Sequence, residues 1–313
     1  MRRLPLPGTL LILTIALALA LAACGGEEQP AAGPEPTAPA AGFPVTVTRS
    51  DGRQLTVAEA PQRIASLSPA ATEILYAVGA GPQVVATDLH SDYPEEAQET
   101  VKLDAFQPNV EAIVGVEADL IVIAHNQDNV VEALDSLGEA VLFLEVPDTI
   151  DGVLEQVRLL ARVSGHAEEG ERLAGEMKEG IEAVTDKLAD VEEGPRIYHE
   201  LDNTFFTAAP NSFVGDFYNL LKAHNIAQGA PTAYPQLTQE EILDRDPEVI
   251  ILADADAGES PQTVKARPGW GAISAVKNDR IHVVDPDIVS RPGPRVVEGI
   301  EQLARFLYPE KFP

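Results

Sequence analysis

Glu111-Ala112-Ile113-Val114-Gly115-Val116-Glu117-Ala118-Asp119-Leu120-Ile121-Val122-Ile123 and Glu240-Glu241-Ile242-Leu243-Asp244-Arg245-Asp246-Pro247-Glu248-Val249-Ile250-Ile251-Leu252 align without a gap. Each copy opens as a capped helix, with Asn109 ahead of the first and a Thr238–Glu241 capping box ahead of the second. Each then runs through a short apolar helix and an acidic turn into a strand that is apolar at every residue. A strand of that kind is covered on both faces, as in a parallel sheet wrapped by helices. Upstream, Gln62-Arg63-Ile64 and Pro195-Arg196-Ile197 open the two halves alike. A repeated helix–turn–strand unit predicts two similar α/β lobes.

Outward from these anchors, short β-branched runs alternate with helical spacing. Residues 63–67, 84–87, 120–123 and 140–146 read as strands, and 68–78 and 109–116 as helices, so an N-terminal lobe covers 61–150. A helix over 151–163 follows, then a second over 166–191, in which Leu173, Met177, Ile181, Val184, Leu188 and Val191 recur at spacings of 3 or 4. At about 1.5 Å per residue the second helix is a rod of roughly 39 Å, suited to spanning two lobes. Residues 151–193 therefore read as connecting helices. Gly194-Pro195 ends the rod, and strands resume at 196–199 to open a C-terminal lobe over 194–313. Residues 44–60, with Asp51-Gly52 between two alternating runs, read as a small β-hairpin. The fold class is α/β, two lobes joined by one long helix.

The N-terminus carries an address. Arg2 and Arg3 precede an apolar run from Leu10 to Ala23, and Leu21-Ala22-Ala23 leads into Cys24. The run is about 14 residues, short of the ~20 of a spanning helix, and its order is that of a secretory signal over 1–23. Leu-Ala-Ala-Cys resembles the lipobox of bacterial and some archaeal lipoproteins. That resemblance implies lipidation of Cys24, with an ordinary signal peptide and an incidental cysteine as the plainer alternative. Residues 24–43, rich in Pro, Ala, Gly and Glu, read as a disordered tether whose ends lie roughly 25 Å apart as a coil and about 60 Å when extended. An exported chain held at a membrane by lipid is the expectation. Cys24 is the one cysteine, so an intramolecular disulfide and a cysteine metal site are excluded. The formal charge is −28, and loss of Arg2 and Arg3 with the signal takes it to −30, which argues against nucleic acid as a partner.

Several residues fall at strand ends, where open α/β sheets bind ligands. Ser68 caps a helix that follows a strand directly. His90 follows the strand at 84–87, His125 follows 120–123, and His199 ends the first strand of the second lobe, with Phe206 just beyond it. Three histidines so placed are candidate metal ligands, although none has the spacing of a local metal motif, and a hydrogen-bonded structural role is the alternative for each. Glu111 and Glu240 share the second position of their helices. A carboxylate there stabilises the helix dipole, and matched acids on matched lobes would also suit docking to a two-fold symmetric partner. The chain has no phosphate loop, nucleophile elbow, His-Glu-x-x-His motif or cysteine nucleophile, so an enzyme is not expected.

Across roughly residues 43–310 the chain resembles the binding proteins for cobalamin and ferric siderophores that serve ABC importers. The resemblance is carried by residues 63–73, Ser91-Asp92-Tyr93-Pro94, Glu111 with 119–123, Tyr234-Pro235-Gln236-Leu237-Thr238-Gln239-Glu240, and Arg291-Pro292-Gly293-Pro294-Arg295. It implies two Rossmann-like lobes joined by a single long backbone helix, the class III periplasmic binding protein type, over about 62–313. The Ser-Asp-Tyr-Pro and Tyr-Pro-Gln elements look most similar to the vitamin B12 branch. By position, Phe106, Phe206 and Tyr234 match cleft aromatics of that branch, Tyr93 lies in the matching loop, and Asp287 stands near a polar contact. His90 and His125 stand where that branch carries aromatics. The implied ligand is cobalamin, with ferric siderophore or haem as the alternative and a lipid-anchored enzyme or sensor domain as the reading from another class. No intrinsic cofactor is implied. Glu111 and Glu240 match docking glutamates that pair with permease arginines, so the implied partners of this expected monomer are an ABC permease and its ATPase. One rigid connecting helix implies a modest tilt of the lobes on binding.

Overall fold

The computed structural model describes residues 42–313. The expected signal, Cys24 and the tether through residue 41 lie outside the described residues. The hairpin comes first. Strands β1 (Val45–Thr48) and β2 (Gln54–Val57) run antiparallel, Val45 opposite Val57 and Thr48 opposite Gln54. Alternation places Val45, Val47 and Val57 against the core and leaves Thr46 and Thr56 outside, their hydroxyls 3.0 Å apart. Arg49 fastens the hairpin to the lobe by donating to Asp135 at 2.8 Å.

In the N-terminal lobe, β3 (Ile64–Leu67), β4 (Val84–Asp88), β5 (Val101–Leu103), β6 (Leu120–Ile123) and β7 (Val141–Phe143) form a parallel sheet in the order β5-β4-β3-β6-β7. Helices α1 (Pro69–Ala77), α2 (Val110–Val114) and α3 (Val130–Leu137) wrap it. β5 has no counterpart among the strands expected from sequence, because three residues are too few to show a period. Strands are added to one side of β3 and then to the other. This reversal opens a crevice at the C-terminal ends of β3, β4 and β6.

Two helices then connect the lobes. α4 (Ile150–Ser164) turns at Gly165, whose φ is +90°, into α5 (Ala167–Thr185). A Cβ at Gly170 would run into the Cβ of Ala161, so the missing side chain is what lets α5 lie close on α4. The long helix is shorter than its periodicity predicts: 19 residues, about 28 Å, followed by a 3-10 turn over Asp186–Leu188. Beyond this turn Lys222 reaches over from the C-terminal lobe and donates its ammonium to the carbonyls of Leu188 and Val191 at 2.7 and 2.9 Å, capping the C-terminal end of the connecting segment.

The C-terminal lobe repeats the plan with one strand fewer. Its strands β8 (Arg196–Glu200), β9 (His224–Asn225), β10 (Val249–Leu252) and β11 (Ile281–Val283) are parallel in the order β11-β10-β8-β9. Its helices are α6 (Phe213–Leu220), α7 (Gln239–Arg245), α8 (Pro261–Ala266), α9 (Ser274–Lys277), α10 (Pro286–Ser290) and α11 (Val296–Leu307). The repeat is a structural staple. Arg63 donates Nε to the carbonyl of Glu117 at 2.8 Å, and Arg196 does the same to Asp246 at 2.9 Å. Two residues on, Asp119 accepts the backbone N–H of Arg63 and Glu248 that of Arg196, at 2.9 and 3.0 Å. Glu117 and Asp246 both have positive φ, which turns each chain sharply into its strand.

One core runs through both lobes. Leu120 and Val122 of β6, Val157 and Leu160 of α4, Met177 and Val184 of α5, and Val249 and Ile251 of β10 belong to a single buried cluster. The alternate residues, Ile121 and Ile123 on one side and Ile250 and Leu252 on the other, face two smaller outer clusters. The lobes therefore share apolar packing as well as a connecting helix, and a wide hinge motion would expose that shared core.

Candidate functional site

The crevice is lined from the N-terminal lobe by the ends of β3, β4 and β6 and from the C-terminal lobe by α10 and the residues after it. It encloses a cavity of about 410 Å³. Ser68 sits at its edge and caps α1, accepting the Ala71 N–H at 3.3 Å while Pro69 takes the first helical position. Asp88, at the end of β4, is buried and accepts the His90 backbone N–H at 2.8 Å and the Ser91 hydroxyl. From Ser91 a buried hydroxyl chain continues to Thr72 and Ser66 in steps of 2.9 Å. Lys102 closes the underside by donating to the Ser91 carbonyl at 2.6 Å. Burial lowers the Lys102 ammonium against the raising charges of Asp88 and Asp92. These contacts fix the loop that carries His90.

After β5, Asp104 accepts the backbone N–H groups of Phe106 and Gln107 at 2.9 and 2.8 Å and so projects Phe106 outward, 52% exposed. His125 stacks on Phe106 with ring centres 5.5 Å apart and planes 27° apart, and His90 meets the ring edge-on at 5.7 Å. Five of the residues singled out from sequence, Ser68, His90, Phe106, His125 and Asp287, thus share this one cavity.

The others lie apart from it. Phe206 and Tyr234 are exposed on the second lobe, on two segments held together by the Phe206–Gln236 bridge. Burial raises the Tyr234 hydroxyl, and the charge of Asp148, on the segment leading into α4, adds to the rise. Tyr93 turns away from the cavity, because Ser91 is tied inward and Asp92 is held by Arg291 at 2.6 Å. Its ring lies under the Arg295 guanidinium, 4.3 Å from it, in a separate groove with Tyr76 and Pro82. His199 is fully buried, paired through Nδ1 with the Tyr218 hydroxyl at 2.6 Å, and burial pushes its pKa down to about 4. It stands apart from His90 and His125, and among the described residues no group of three or more His, Cys, Asp or Glu is placed to hold a metal ion.

Sequence reasoning missed the ionic clasp between the lobes. Glu73 of α1 is 3% exposed and receives a two-pronged pair from Arg295, Nε at 2.9 Å and NH2 at 2.6 Å. Gly293 makes room for it, since a Cβ there would press on the Glu73 carboxylate at 3.2 Å. Arg291 lies alongside, bound to Asp92 and, at 2.8 Å, to Asp287. The Arg-Pro-Gly-Pro-Arg run is visible in the sequence, but its partners on the other lobe, Glu73 and Asp92, lie some 200 residues away and carry no local signal. In the second lobe, Arg267 bridges buried Glu200 at 2.5 and 2.6 Å and Glu259 at 2.7 Å, beneath Trp270 at 4.5 Å.

Glu111 and Glu240 occupy the second position of α2 and α7, behind Asn109 and the Thr238–Glu241 capping box. Both are exposed, and neither makes a side-chain hydrogen bond or ion pair among the described residues.

The profile of the family described as periplasmic binding protein matches residues 64–288. The uncharacterised ABC transporter substrate-binding lipoprotein YvrC of Bacillus subtilis is 30% identical over 279 residues, 86% of this chain and 87% of its own length. The cobalamin-binding protein of Halobacterium salinarum is 29% identical over 310 residues, 96% of this chain and 84% of its own. The crystal structure of the periplasmic vitamin B12-binding protein BtuF of Vibrio cholerae superposes with a TM-score of 0.70 at 27% identity, over 81% of this chain and 99% of that one. The chain therefore belongs to the periplasmic binding protein family, as a substrate-binding protein of an ABC transporter and not an enzyme.

Proposed function

We propose that this protein captures cobalamin between its lobes and delivers it to a membrane permease driven by an ATPase. The observation that carries the reading is the Phe106 platform, a flat aromatic face backed by the His125 imidazole and edged by His90. A rigid, apolar face beside a few polar groups suits a broad planar ring. Phe206 and Tyr234 of the second lobe supply the opposing aromatic surface, and Asp287 a polar contact at the rim. Relatives named for cobalamin and vitamin B12 at 27–29% identity add support. Haem or a ferric siderophore is the second reading, favoured by two imidazoles beside the platform, since imidazole nitrogen ligates iron as readily as it stacks.

Glu111 and Glu240 are the docking groups, exposed and equivalent on the two lobes. Cys24, with its lipid and the tether to residue 43, keeps the receptor near the membrane and raises its effective concentration at the permease. Titration with cyanocobalamin, haemin and a set of ferric siderophores, read by absorbance and calorimetry, tests the ligand. Tight binding of cyanocobalamin alone supports the proposal, and preference for haemin or a siderophore replaces it. Glu111→Ala with Glu240→Ala is expected to abolish uptake with ligand affinity unchanged; a lost affinity would remove these residues from the docking role.

A further inference from the structure

The cleft has an unusual charge arrangement. Among the described residues lining the cavity, Arg291 is the one arginine or lysine, and Asp88 and Asp287 line it too. Arg291 is 14% exposed and enclosed by carboxylates: NH1 contacts Asp92 at 2.6 Å and Glu73 at 3.5 Å, and NH2 contacts Asp287 at 2.8 Å. Both terminal nitrogens of the guanidinium are thus engaged by the protein. Burial alone would raise the Asp92 carboxyl, yet the hydrogen bond and charge of Arg291 hold it below its ordinary range. Asp287, by contrast, is raised, because burial outweighs the same arginine.

Resting on the reading that a planar metal complex lodges in this cleft, we propose that the Asp92–Arg291–Asp287 bridge is a charge selector that admits neutral or cationic complexes and rejects those bearing carboxylates. A carboxylate entering the cavity meets a guanidinium whose two terminal nitrogens already contact protein carboxylates, flanked by Asp88 and Asp287. To pair with Arg291 an incoming carboxylate must compete with Asp92 and Asp287 and bring a further negative charge beside Asp88 and Asp287. An amide edge or a cationic complex meets no such penalty. The selector spans both lobes, Asp92 on one and Arg291 with Asp287 on the other, so it exists only in the assembled cleft.

The test compares rings that differ in charge. Full-length mature protein is titrated with cyanocobalamin, with the monocarboxylates made by hydrolysing its side-chain amides, and with haemin, a dicarboxylate. The wild type should bind the neutral ring at least tenfold more tightly than the carboxylates. Asp92→Asn with Asp287→Asn, which frees Arg291, should shift that ratio toward the acids by about tenfold or more, less at high salt. Arg291→Gln serves as a second variant and should shift it the opposite way. Cyanocobalamin binding with a ratio unmoved by any of these changes overturns the selector and leaves the cobalamin reading standing. Haemin bound as tightly as cyanocobalamin by the wild type overturns the selector outright. Binding of none of the rings overturns both.

Discussion

The two lobes are built from one unit and finish their cleft edges in opposite ways. Both use the arginine staple, Arg63 on Glu117 and Arg196 on Asp246, and both present a glutamate at the second position of a capped helix. At the strand ends they diverge. The first lobe leaves Phe106 and two histidines exposed over an open cavity, whereas the second seals β8 and β10 with Arg267, Glu200, Glu259 and fully buried Trp270. A shared backbone plan thus sets where a site is available, and a few side chains decide whether that place becomes a surface for ligand or a sealed ionic core.

The largest effect should come from breaking the seal. Arg267→Met leaves Glu200, wholly buried, without its partner, and is expected to cost about 3–5 kcal/mol in urea unfolding. Phe106→Ala in the other lobe should cost under about 0.5 kcal/mol, since its ring is half exposed. Comparable losses at the two positions would erase the distinction between a sealed edge and an open one.

Next in size is a pH effect confined to the second lobe. His199 is held neutral by burial at a pKa of about 4, so its contribution is full above its ordinary value near 6.5 and is lost as pH falls toward 4. Asp254 runs the other way. Among the described residues its buried carboxylate oxygens have no hydrogen-bond partner, and burial, reinforced by the charge of Glu200, pushes its pKa up to about 7. Its contribution is full below the ordinary carboxylate range and is lost as pH rises through 7. The two oppose each other between pH 4 and 6.5. Asp254→Asn should therefore lose about 3 kcal/mol more than wild type on acidification across that window, and His199→Gln should gain by a similar amount. Urea titrations at stepped pH read both, and parallel profiles for the two variants would refute the opposition.

A smaller effect concerns ligand. Phe106→Ala should weaken binding of the bound ring by about 10- to 100-fold, and Phe206→Ala by less, because Phe106 alone is braced by two aromatic neighbours. Calorimetry on the two variants ranks them, and the reverse order would move the main platform to the second lobe. Smallest of all, Glu111→Ala or Glu240→Ala should change stability by only a few tenths of a kcal/mol, the size of a helix-dipole contact. A loss above about 1 kcal/mol at either would mean that the glutamate has a structural duty in its own lobe.

Sequence by itself determined what is local. Helix caps at Ser68, Asn109 and Thr238 appear where side chain and backbone lie within three residues, and they are the caps the structure uses. The strands at 120–123 and 249–252 are legible because apolarity at every residue marks a sheet buried on both faces. The repeat announced two lobes. What only the tertiary structure decided is pairing at a distance: Lys222 capping the end of the connecting segment, Glu73 clasped by Arg295, Arg291 held between Asp92 and Asp287, and Tyr93 drawn from the cavity to lie under Arg295. Each joins residues that are between 4 and 222 positions apart, and in most of them the partners meet only once both lobes have folded onto their shared core. Local periodicity and capping chemistry report the energy of a few neighbouring residues. The choice of a partner for a buried charge depends on which groups the completed fold brings within about 3 Å.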